Sequence, residues 1–111
     1  MRGIPLHVKV MLRVKPECGA AFERELMAIR ERCMAEKECL AFDVEQRSDD
    51  PTVYLLAETW SDPDYFEKVQ LNRDYYPAYF AKIDPMMAAP REIHYWTRLA
   101  TYPERPSGDR Q

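Results

Sequence analysis

The sequence predicts a ferredoxin-like βαββαβ domain of the α+β class, with a four-stranded antiparallel sheet and both helices on one of its faces. Three observations predict it. Four segments alternate apolar and polar residues with the period of a half-buried strand, two repeat with the period of an amphipathic helix, and they follow one another in the split-βαβ order. The length of 111 residues suits one domain. Residues 1–102 are assigned to it and residues 103–111 to a polar, mobile tail with nothing apolar to bury.

The first strand is read over Ile4 to Val14. Leu6, Val8, Val10, Leu12 and Val14 alternate with His7, Lys9, Met11 and Arg13, and Pro16 ends the run. The period then changes. Phe22, Leu26, Ile29 and Cys33 form one stripe of a helix from about Gly19 to Glu36, with Glu23, Arg24, Glu25, Arg30, Glu31 and Arg32 on its solvated side. Cys39 to Gln46 returns to period two, with Leu40, Phe42 and Val44 on one face and Ala41, Asp43 and Glu45 on the other. Ser48-Asp49-Asp50-Pro51 is a turn cluster, and Thr52 to Trp60 completes a hairpin, with Tyr54, Leu56, Glu58 and Trp60 sharing a face. Ser61-Asp62-Pro63-Asp64 reads as a helix start with Ser61 as cap and Asp64 closing a capping box. Phe66 and Val69 begin an apolar stripe there. Pro77 marks a kink or a second short helix, continued by Tyr79, Phe80 and Ile83. The last strand is read over Arg91 to Leu99, with Ile93, Tyr95, Thr97 and Leu99 opposed to Glu92, His94, Trp96 and Arg98.

Charged residues are 32% of the chain and apolar ones 46%, a globular balance rather than a disordered or membrane one. The net charge of −3 comes without a basic stripe, which argues against nucleic acid as a partner. No run approaches the roughly 20 apolar residues that cross a bilayer. Met1-Arg2-Gly3-Ile4-Pro5 lacks a signal-peptide core, so the expectation is a cytoplasmic protein with no membrane partner. Cys18, Cys33 and Cys39 are odd in number and at no metal-ligand spacing, and read as reduced thiols, with Cys33 on the buried helix face. Because all four strands carry apolar or aromatic residues on both faces, the sheet needs a second layer, and a two-fold homodimer supplies one.

The order of elements resembles the antibiotic biosynthesis monooxygenase family, over roughly residues 5–100. The residues that carry the likeness are Val8 to Lys15 followed by Pro16, the first helix, Cys39-Leu40-Ala41-Phe42-Asp43-Val44, and Ala57-Glu58-Thr59-Trp60-Ser61-Asp62. In that family a Gly-Cys-Leu-type turn enters the second strand and a Glu-x-Trp ends the third. The resemblance implies a dimeric α+β barrel. It also implies cofactor-independent oxygenation of a small aromatic or quinol-like substrate. Many members carry two histidines after that tryptophan, where this chain has Val69 and Asp74, and Lys37-Glu38 replaces a usual Pro-Gly turn. Histidine-dependent chemistry is therefore not carried over. Neither is heme degradation, whose Asn and His have no counterparts here.

Cofactor-free oxygenation needs a dry pocket, a base or oxyanion partner, and aromatic walls, since a deprotonated phenol or enol can itself give an electron to O₂. Trp60, Tyr54, Tyr75, Tyr76 and Trp96 are the candidate walls, with Tyr79 and Tyr95 nearby in the fold; the plain alternative is core and dimer packing. His94 and Glu58 are the candidate proton acceptors. Against them stand a solvated strand histidine and a strand-end glutamate paired with Arg98 or another cation; His7 is the weaker histidine candidate. Arg73, Arg91 and Arg98 are the cations that could hold an anionic substrate. Arg98 is taken forward, and Arg73 and Arg91 read as surface charge. The three glycines form no phosphate loop or dinucleotide fingerprint, and no metal cluster or nucleophile elbow is present. No cofactor is expected. Two other readings stay open: an isomerase or degrading enzyme for a small carbonyl metabolite, and a non-catalytic dimer that binds a small ligand.

Overall fold

The computed structural model describes residues 4–101, so the tail assigned to residues 103–111 lies outside the described residues. Strands β1 (Leu6–Arg13), β2 (Cys39–Arg47), β3 (Asp50–Trp60) and β4 (Glu92–Trp96) alternate with helices α1 (Gly19–Met34), α2 (Pro63–Lys68) and α3 (Tyr75–Ile83) in the expected βαββαβ order, the second crossover being split in two. The sheet runs β2-β3-β1-β4 with every pair antiparallel, the ferredoxin-like order. Among the described residues no helix is long and apolar enough to cross a membrane.

The helices cover one face. Val8, Val10 and Leu12 of β1 and Leu56 and Trp60 of β3 pack there against Phe22, Leu26, Ile29 and Cys33, so the whole apolar stripe read in the first helix is buried. The opposite face carries rows across the strands: Asp43, Ala57, Lys9 and His94 in one register, and Glu45, Leu55, Met11 and Glu92 in the next.

Several boundaries differ from the expectation, each for a local reason. β1 starts at Leu6 rather than Ile4, because Pro5 has no N–H to extend the ladder. Its last ladder partner on the far side is His7 with Trp96, so β4 ends there and Leu99 stands 95% exposed. Leu40 does not share a face with Phe42. The register shifts between Cys39 and Ala41, leaving Leu40 as the extra residue of a bulge that turns it outward. The hairpin turn is tighter than expected. β3 already begins at Asp50, whose Oδ1 accepts from Thr52 N and Oγ1 at 3.1 and 2.6 Å. The helix cap also moves by one residue. Pro63 occupies the first helical position, so Asp62 is the cap and accepts from Asp64 N at 3.3 Å, while Ser61 is buried and donates to Glu38. Finally, α2 stops at Lys68 and a 3₁₀ turn over Gln70–Asn72 follows. Gln70, four residues after the buried Phe66, faces the core, and Val69 is left 41% exposed.

Candidate active site

Strand parity decides which candidates meet. Leu56, Glu58 and Trp60 of β3 point toward the helices, opposite Val10, Val8 and Leu6 of β1. Between this part of the sheet and helices α1 and α3 lies a cavity of about 60 Å³, room for several waters or part of a small ring. Val10, Leu56 and Ile93 line it from the sheet, Ile29 and Cys33 from α1, and Tyr76, Tyr79 and Phe80 from α3. Glu58 and Arg91 are the ionisable groups of opposite sign in its wall.

Glu58 is buried, and Trp60 Nε1–H donates to its Oε1 at 2.9 Å. Burial away from water pushes the carboxyl up to about 7, against the opposing pull of the indole hydrogen bond. The cation expected as its plain partner is not Arg98, which lies exposed beyond the end of β4. The other acidic protons at the cavity are held more firmly. Burial pushes the Cys33 thiol up to about 12 and raises the phenols of Tyr76 and Tyr79 as well. Near neutral pH those three stay protonated while Glu58 exchanges a proton. This is the state a general base needs.

Trp60 is not an open wall. It is fully enclosed, with Phe66 at 5.5 Å and Tyr65 at 6.3 Å between ring centroids, and it lies behind the carboxylate it holds. A polar network backs the same end of the cavity. Gln70, wholly buried, accepts from Tyr65 Oη at 3.0 Å and donates to Tyr75 Oη at 2.8 Å and Tyr76 Oη at 2.9 Å. Tyr76 Oη lies 3.4 Å from Cys33 Sγ, and Tyr75 Oη donates onward to Glu36 at 2.8 Å. Tyr76 thus reaches the cavity, whereas Tyr75 faces outward with the Arg32 guanidinium over its ring at 5.1 Å.

The remaining candidates lie elsewhere. Tyr54 is on the helix-covered face but at the far end of β3, donating to Glu23 at 2.6 Å and packed on Phe22. His94 and Trp96 are on the open face, exposed, and paired in register with Lys9 and His7. The sheet separates His94 from Glu58, so the two proposed proton acceptors do not act on one substrate within a single chain. His7 shares a hydrogen bond with Thr59 Oγ1 at 3.0 Å, and burial, then Arg98, then Lys9 lower its pKa.

A family model for antibiotic biosynthesis monooxygenase matches residues 5–79, more than half of the chain, and spans the Glu58-Thr59-Trp60 segment and its helix. This chain belongs to the antibiotic biosynthesis monooxygenase family. Solved structures agree on the fold. A candidate antibiotic biosynthesis monooxygenase from Caulobacter crescentus superposes with a TM-score of 0.80 at 25% identity, over 86% of this chain and 91% of that one. One from Nitrosomonas europaea gives 0.80 at 23% identity, over 89% and 94%. A protein of Pseudomonas aeruginosa gives 0.78 at 26%, over 88% and 97%. No curated protein matches the chain.

Two residues of this family member stand at the site that sequence reasoning does not choose, Gln70 passed over and Arg91 read as surface charge. The apolar stripe is read through Val69, but Gln70, four residues after Phe66, is the residue that is buried. Arg91, read as the first residue of the last strand, instead precedes β4 and lines the cavity with Ile93, beyond the matched span.

Proposed function

We propose that this chain is a cofactor-free monooxygenase of a small aromatic or quinol-like substrate, with Glu58 as the proton acceptor. The observation that carries the reading is a buried carboxyl, pushed up to about 7, in the wall of an otherwise apolar and aromatic cavity. A phenol seated there gives its proton to Glu58, and the Trp60 indole steadies the carboxylate that receives it. The resulting phenolate is the electron donor to O₂. One oxygen atom bonds to a ring carbon, the other leaves as water, and the substrate supplies the electrons, so quinol and O₂ become hydroxyquinone and water. Tyr76 and Tyr79 stay protonated and serve as wall and hydrogen-bond donor, and the apolar lining keeps bulk water from the anion.

The same reading has residues 1–102 as one domain and two copies stacked through their open sheet faces. Ala41, Leu55, Ala57 and Met11 supply the apolar part of that face. Asp43 and Glu45 lie toward one edge, and Lys9, His94 and Glu92 toward the other. A two-fold axis parallel to the strands sets unlike edges against each other. His94, Trp96 and Arg98 then belong to the dimer contact rather than to the cavity.

Oxygen uptake with a panel of hydroquinones tests the reading: wild type consumes O₂ with substrate and Glu58→Gln loses the activity. Turnover that persists without O₂ contradicts it in favour of carbonyl isomerisation or degradation. A ligand-induced melting shift with no turnover contradicts it in favour of a binding protein.

A further inference from the structure

The cavity has a second charged group, which the chemistry of proton removal does not use. Arg91 lines it together with Glu58, Tyr79, Phe80 and Ile93. Its guanidinium carbon stands 4.0 Å from the Phe80 ring centroid, and its Nη1 donates to Asp84 Oδ1 at 2.6 Å. The side chain is 28% exposed against 55% for Asp84, so the cation sits at the cavity mouth with its counter-ion on the solvent side. A planar group held on one side by an aromatic ring and at one nitrogen by a carboxylate is already oriented. A guanidinium has five N–H donors, and Asp84 engages one nitrogen, so donors remain for a ligand. Its field also reaches inward, where it opposes the rise of the Tyr79 phenol.

We infer that Arg91 selects substrates bearing an anionic substituent, so that a small aromatic carboxylate enters the cavity by its phenolic edge, with its phenol at Glu58 and its carboxylate at Arg91 in the mouth. This rests on the reading of Glu58 as the group that receives the substrate's proton, and it adds which end of the substrate is charged. The arrangement has a physical logic. A neutral quinol can enter either way round, whereas a ring carboxylate is repelled by the Glu58 carboxylate and drawn to the guanidinium. The phenolic end is thereby presented to the base.

Hydroquinone and gentisate, which is hydroquinone carrying one ring carboxylate, are the probes, compared without oxygen so that nothing turns over. The indole N–H resonances report the place of binding. Trp60 is bonded to Glu58 behind the cavity, whereas Trp96 stands on the opposite face, and the chain has two tryptophans. The expected result is that gentisate shifts the Trp60 resonance and binds roughly tenfold or more tightly than hydroquinone. Arg91→Gln removes that preference, and Arg91→Lys keeps part of it. Added NaCl weakens gentisate and leaves hydroquinone unchanged, which tests the charge without any variant. If both probes shift Trp60 with equal affinity, or if Arg91→Gln weakens both alike, the role of Arg91 is overturned while the cavity reading stands. If neither probe moves Trp60, both fall together.

Discussion

The two faces of this sheet are made from the same alternating strands and have opposite characters. On the helix-covered face Val8, Leu12 and Trp60 are almost wholly enclosed, with the Glu58 carboxyl held among them. On the open face Lys9, Asp43, His94 and Trp96 are exposed. One step along a strand crosses from one setting to the other. Glu58 is on the dry side, where losing water raises its pKa. A strand-borne histidine such as His94, the more obvious base by type, is on the wet side and remote from the cavity. For an open sheet, the side a residue faces matters more to its chemistry than its residue type.

Substitutions sharpen the contrast, and the tryptophans show it most strongly. Trp60→Ala empties a fully packed site beneath the helices and should cost roughly 3–5 kcal/mol in chemical denaturation. Trp96→Ala, on the exposed face, should leave the unfolding of the chain within about 0.5 kcal/mol and weaken self-association instead. Equal losses from the two would erase the distinction between the faces.

Glu58→Gln comes next. The folded-state pKa is raised from 4.5 to about 7, so the folded state favours the protonated acid. That contribution is fully present below the unfolded value and is lost as pH rises through about 7. Wild type should therefore lose roughly 3 kcal/mol relative to Glu58→Gln between pH 4.5 and pH values above 7. Denaturation series across that window check the sign: wild type gaining stability relative to Glu58→Gln as pH rises contradicts it. Turnover, by contrast, should fall by about 10²–10⁴-fold in the variant, as for loss of a general base.

Gln70→Leu keeps the volume but leaves the Tyr65, Tyr75 and Tyr76 hydroxyls without the amide that joins them, at a cost of about 2 kcal/mol by calorimetry. The smallest effect on the chain itself belongs to the open face. Reversing Asp43 and Glu45 together to Lys should leave folding nearly unchanged and shift sedimentation from a dimer toward the 13.1 kDa single chain.

Much of this was legible in the residues because periodicity is a direct record of burial. The stripe Phe22, Leu26, Ile29, Cys33 is the buried face of α1, and Tyr54, Leu56, Glu58 and Trp60 share one side of β3. What periodicity does not record is a break in period. The bulge at Leu40 inserts one residue that no local pattern announces. The helix cap falls at Asp62 rather than Ser61 because Pro63 takes the first helical position. Arg91, named among the possible anion-holding cations, reads as surface charge for a different reason. Its place at the cavity comes from packing on Phe80 and pairing with Asp84, contacts made between the end of α3 and the approach to β4. Nor could residue type alone tell that His94 and Glu58 fall on opposite sides of the sheet, since both occupy alternating strands and only the register relates them.

The central claim is that Glu58 is a buried acid titrating near neutrality under the hand of Trp60. Carbon-13 labelling of the glutamate side chains, with the Trp60 indole N–H followed in parallel, measures it directly. The midpoint should lie at about 7 for both signals, and Trp60→Phe, which removes the donor that favours the carboxylate, should move the carboxyl midpoint higher still. A Glu58 midpoint at its ordinary value of 4.5, unmoved by Trp60→Phe, contradicts the account.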